Sequence, residues 1–161
     1  VASGDTLLVF TPLSSEPPAT VYATVHTRNG HPVLDFDAAT DEKAFFSDVL
    51  PRNYAGGGIT AYIIWMASTA TSGNVIWQIA WERASTDLDS DSFATAIASA
   101  QTVPNGTSGI TTTATIAFSN AQIDGLTAGE AFRLQLVRNS TNPSDNMSGD
   151  AELVAIELKE T

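Results

Sequence analysis

The stretch that most constrains this chain runs from Pro51 to Ala84, PRNYAGGGITAYIIWMASTATSGNVIWQIAWERA. Two long apolar runs, Ile59–Ala67 and Val75–Arg83, flank a short Ser/Thr/Gly segment, which predicts a strand, a turn and a strand. In the second run Val75, Trp77, Ile79 and Trp81 share one face, while Gln78 and Glu82 lie on the other. A period of two with one polar face means that the opposite face packs on a core. The first run is apolar on both faces, with Ile59, Ala61, Ile63 and Trp65 on one and Tyr62, Ile64 and Met66 on the other. Such a strand is either covered twice within the chain or turned towards another subunit. Tyr62, Ile64 and Met66 are therefore the candidate oligomer interface.

The rest of the chain repeats this grammar. Clusters of Gly, Ser, Thr, Asn and Asp separate short β-branched and aromatic runs at Thr6–Thr11, Thr20–His26, Pro32–Phe36, Ala44–Leu50, Ile110–Phe118, Phe132–Leu136 and Leu153–Leu158. Asn29-Gly30 sits where a tight hairpin turn needs positive φ at both central residues. Phe93–Ala100 is Ala-rich and fits either a short helix or a strand, and Ser119–Leu126 fits one helical turn. Strands at this spacing predict an all-β fold, an antiparallel two-sheet β-sandwich of jelly-roll type, with an immunoglobulin-like sandwich as the alternative. With 161 residues the chain fits one domain, 1–161. The Pro-rich stretch Pro12–Pro18 makes residues 1–20 a candidate extended N-terminal arm.

Several kinds of chemistry are excluded or disfavoured. The chain has no cysteine, so disulfides, thiolate metal sites and a cysteine nucleophile are absent. A formal net charge of −11 repels phosphate backbones, so no nucleic-acid partner is expected. No apolar run of about 18 residues exists to span a membrane as a helix. No charged segment followed by an apolar core opens the chain, so no signal peptide is expected.

His26 and His31 flank the Asn-Gly turn, and Val33, Asp35 and Asp37 follow His31 at strand spacing. A His/Asp metal site is geometrically conceivable, but two histidines beside a turn lack the supporting groups that fix metal ligands. Asp87, Asp89 and Asp91 alternate in a polar loop, yet Ser92 and Ala98 stand where an EF-hand needs Gly and Glu. Asp145 and Asp150 read in the same way, as loop carboxylates. No cofactor or metal is expected.

Glu82 and Glu152 are the acids nearest strand centres, and their alternation points them to the surface. No Gly-x-Ser-x-Gly elbow accompanies the two histidines. No enzyme activity is expected. A glycan is a conceivable partner, because jelly rolls stack sugars on exposed rings. Trp65, Trp77 and Trp81 share faces with aliphatic residues and read as core. Tyr22, Tyr54 and Tyr62 are better placed for a surface but form no row.

Two segments carry a family resemblance. Residues 23–67, ATVHTRNGHPVLDFDAATDEKAFFSDVLPRNYAGGGITAYIIWMA, resemble small structural proteins of tailed phages. Residues 126–160, LTAGEAFRLQLVRNSTNPSDNMSGDAELVAIELKE, are similar to the closing hairpin of phage jelly-roll domains, with Glu130 where Asp is usual. The resemblance implies a non-enzymatic virion structural protein. It would be a capsid decoration or cement protein that stabilises the head lattice, or alternatively a tail-appendage or glycan-binding jelly-roll module. It also implies a homo-oligomer, such as a trimer, bound to the major capsid protein. The location implied is the phage particle surface, after synthesis in the host cytoplasm.

Overall fold

A computed structural model describes residues 2–84, 87–94 and 98–161. Its strands are β1 (Thr6–Phe10), β2 (Thr24–Arg28), β3 (His31–Phe36), β4 (Lys43–Val49), β5 (Ile59–Ala67), β6 (Val75–Arg83), β7 (Ala98–Thr102), β8 (Thr112–Phe118), β9 (Ala131–Arg138) and β10 (Ala151–Glu160). The first sheet runs β2-β3-β10-β5-β8, with β1 also paired to β10, and the second runs β4-β9-β6-β7. All strand pairs are antiparallel. This is the two-sheet jelly-roll sandwich that the run spacing predicts.

The Pro51–Ala84 block does not fold as a hairpin within one sheet. β5 lies in the first sheet and β6 in the second, so the Ser/Thr/Gly segment carries the chain across the sandwich. Each strand brings its Trp-bearing face to the shared core. Trp65, Trp77 and Trp81 are 0–1% exposed; Trp65 packs on Trp77, Trp77 on Phe36, and Trp81 on Phe118 and Phe132, at ring separations of 5.1–5.9 Å. Their indole N–H groups have no hydrogen-bond partner among the described residues, so all three act as apolar filling.

β10 is the hub of the first sheet. It pairs with β5 along one edge, and along the other with β3 at Ala151–Leu153 and then with β1 from Ile156. The register shifts between Leu153 and Ala155. That one-residue slip moves the core-facing set from Ala151 and Leu153 to Ile156 and Leu158, all fully buried. The slip lets one strand serve two successive neighbours without turning its apolar face outwards.

Four details refine the sequence reading. Of the candidate arm at residues 1–20, residue 1 lies outside the described ones, and the rest is tied to the sandwich: Thr6–Phe10 form β1, Pro12–Ser14 form a 3-10 turn, and Glu16 bridges Phe45. The Asn29-Gly30 turn has the expected positive φ values, 48° and 79°. Asn120–Ile123 form the expected short helical turn. Of Phe93–Ala100, residues 95–97 lie outside the described ones, and Ala98 begins a strand. Residues 85 and 86 of the polar loop also lie outside them.

Candidate functional site

Three neighbouring cross-strand rows run across the outer face of the second sheet. Lys43, Val137, Gln78 and Ser99 form one, Phe45, Gln135 and Ala80 the next, and Ser47, Arg133 and Glu82 the third. Paired residues share a face, so sequence alternation alone projects these side chains away from the core. Arg133 donates to both oxygens of Glu82, at 2.9 Å each. Its cationic carbon lies 5.5 Å from the Phe45 ring centre and 5.1 Å from that of Phe93. The two half-buried rings sit 4.9 Å apart and tilted by 42°.

Beside this group is a cleft of about 530 Å³, lined by Ser47, Asp48, Glu82, Leu88, Phe132 and Arg133. The arrangement offers ring faces for C–H surfaces and planar amides for hydroxyls. Because Arg133 is fixed by Glu82 and the rings, its geometry costs little to hold on binding. Sequence reasoning missed this site. Phe45 and Phe93 are 48 positions apart and share no period.

Glu82 and Glu152 do project outwards, but neither is a surface residue: each is 4% exposed. An arginine lies over each, Arg133 over Glu82 and Arg28 over Glu152 at 2.5 Å. Burial of a carboxylate is tolerated when a cation and hydrogen bonds accompany it.

On the outer face of the first sheet, Tyr62 and Ile64 are half-buried, and the Lys159 ammonium lies 5.7 Å from the Tyr62 ring centre. Met66 is 6% exposed and lines a cleft of about 590 Å³ with Pro12, Leu13, Val33 and Val154. Of the candidate interface residues, Met66 is thus buried beside a cleft that Pro12 and Leu13 also line, while Tyr62 and Ile64 are half-buried. Tyr54 is buried and its hydroxyl accepts from Gly58 N–H at 3.0 Å, whereas Tyr22 is exposed.

Beyond Met66 on that face stand His26, Arg28, Asp35 and Glu152. His26 Nδ1 is 3.6 Å from Asp35 Oδ2. The other Asp35 oxygen, Oδ1, is buried and has no hydrogen-bond partner among the described residues. Burial, reinforced by the Glu152 charge, pushes the Asp35 carboxyl above its ordinary range, and His26 opposes this. His31 pairs across the turn with Arg28 and does not join His26. Asp37 instead accepts from Ala39 and Thr40 N–H, capping the loop that leaves β3. Asp87 accepts from Asp89 N–H within its own loop. Asp145 is buried against Arg138, and Asp150 donates its backbone N–H to Ser68.

No family model matches the chain, and no curated protein matches it in sequence. Solved structures do match it in fold. The CBM22-1 xylan-binding domain of Paenibacillus barcinonensis Xyn10C is 14% identical, covers 99% of this chain and 96% of its own length, and gives a TM-score of 0.51. CBM35 from Cellvibrio japonicus Abf62 is 12% identical, with 94% and 92% covered and a TM-score of 0.52. An exo-β-1,3-galactanase of Phanerochaete chrysosporium is 9% identical and gives 0.53, with 98% of this chain but 29% of that chain covered. The sheet order and the near whole-length matches to the first two domains show that the chain shares their jelly-roll sandwich fold.

Proposed function

We propose that the domain is a non-catalytic glycan-binding module that takes a neutral sugar chain on the outer face of the second sheet. The observation that carries this reading is the Phe45–Phe93 ring pair beside the Glu82-locked Arg133, with Gln135 and Gln78 in the adjoining rows. Rings stack on the C–H face of a sugar, and flanking amides bond its hydroxyls. Arg133 is already neutralised and Asp48 is exposed beside it, so an anionic polysaccharide gains nothing here. That the modules of like fold from Xyn10C are described as xylan-binding supports the class of ligand.

Affinity electrophoresis against xylan, mannan and β-1,3-galactan is the direct test. Retention by one of them, lost in Phe45→Ala and in Gln135→Ala, is expected. Retention unchanged in both variants, or no retention on any glycan, would overturn the reading.

A second reading, a self-associating virion structural protein bound to a capsid, is supported by the resemblance of residues 23–67 and 126–160. It is also supported by the half-exposed Tyr62 and Ile64 beside the exposed Val9. Its test is sedimentation of Tyr62→Asp. Loss of an oligomer with the monomer still folded favours it, and a wild-type chain that sediments as a monomer removes it.

A further inference from the structure

We infer that His26, Asp35 and Glu152 form a binding site for a divalent transition metal, with Zn²⁺ the best chemical match, on the outer face of the first sheet. The three residues come from adjacent strands β2, β3 and β10, and one ligand atom from each lies within 4.8 Å of the others. Strand pairing fixes this convergence: Asp35 stands directly opposite Glu152, and His26 stands diagonally across from Asp35. It is a property of the sheet rather than of a mobile loop.

Two details favour a cation over a merely packed acidic pair. Asp35 Oδ1 is buried with no partner among the described residues, a costly condition that a metal bond would relieve. Glu152 is held in place by Arg28, which donates to its Oε2 while also donating to the Ala67 and Ser68 carbonyls at 3.1 Å each. Glu152 keeps its second oxygen for the metal while Arg28 orients it, the kind of support that sharpens a ligand set. His26 has a 60% exposed side chain, which leaves a path for the ion and room for a completing water. One imidazole with two carboxylates suits Zn²⁺ and its neighbours. Ca²⁺ prefers an all-oxygen cage and gains nothing from His26.

Calorimetric titration of ZnCl₂ into the full chain, stripped with chelator and held at pH 7, tests the site. One saturating Zn²⁺ per chain is expected. His26→Ala and Asp35→Asn should each weaken it by about tenfold or more, whereas His31→Ala should leave it unchanged. His26 is largely exposed, so His26→Ala keeps the fold, and Co²⁺ absorption in the visible should change in that variant alone among the two histidine variants. Absence of saturable binding, equal affinity in His26→Ala, loss in His31→Ala, or Ca²⁺ binding as tight as Zn²⁺ would each overturn the inference.

Discussion

The buried guanidinium of Arg138 donates to both carboxylate oxygens of the buried Asp145, at 2.8 and 3.2 Å. It also donates to the carbonyls of Phe36, Met147 and Gly149 at 2.8–3.2 Å. Phe36 ends a strand of the first sheet and Arg138 ends one of the second. A single internal cation therefore ties the two sheets and the β9–β10 loop together at one end of the sandwich.

Removing that cation should be worse than weakening its partner. Arg138→Met strands a buried carboxylate and three carbonyls, and about 3–5 kcal/mol of stability should be lost. Asp145→Asn keeps an oxygen for Arg138 and should cost less, about 1–3 kcal/mol. Urea denaturation of both variants checks the order. Equal losses would mean that the carbonyl contacts contribute nothing.

Gly58 has φ +117°, and a Cβ there would stand 2.3 Å from the Phe118 carbonyl oxygen. Gly106 has open space around it and no positive φ. Gly58→Ala should cost about 2 kcal/mol or more, whereas Gly106→Ala should be neutral or stabilise by up to about 1 kcal/mol. Thermal melts of the two variants measure the contrast.

Burial pushes the Asp41 carboxyl up, but hydrogen bonds from Thr141 N–H, Thr141 Oγ1 and Ser140 Oγ outweigh it and hold the group below its ordinary 3.8. A depressed folded value contributes stability that is present above 3.8 and lost as pH falls through the folded value. Asp41→Asn should therefore cost about 1 kcal/mol at pH 7, discounted for its partial exposure, and the cost should fade towards pH 2. A stability difference that stays constant from pH 7 to about pH 2 would contradict this sign.

All three tryptophans are sealed in the core, and the proposed sugar face carries phenylalanines instead. Saturating glycan should leave tryptophan emission almost unmoved, and acrylamide should quench it weakly with or without sugar. A large ligand-induced shift would place the site elsewhere on the sandwich.

Alternation in Val75–Arg83 was enough to read Trp77 and Trp81 as core, because a period of two leaves one face for burial. The turn chemistry of Asn29-Gly30 was equally local, and so was the short helical turn after Ser119. The outward orientation of Glu82 and Glu152 followed from the same period, but their burial did not. It depends on Arg133 and Arg28, which reach them across strands 51 and 124 residues away in sequence.

The sequence by itself determined the all-β class, the inward tryptophan faces and the absence of thiol chemistry, since each depends on residue type and spacing within a few positions. Tertiary structure alone decided that β5 and β6 belong to different sheets, and that Met66 shares a cleft with Pro12 and Leu13. It alone brought Phe45 to Phe93 and His26 to Glu152. Strand order and register are set by which apolar faces bury one another across the whole chain, and no local period encodes that choice.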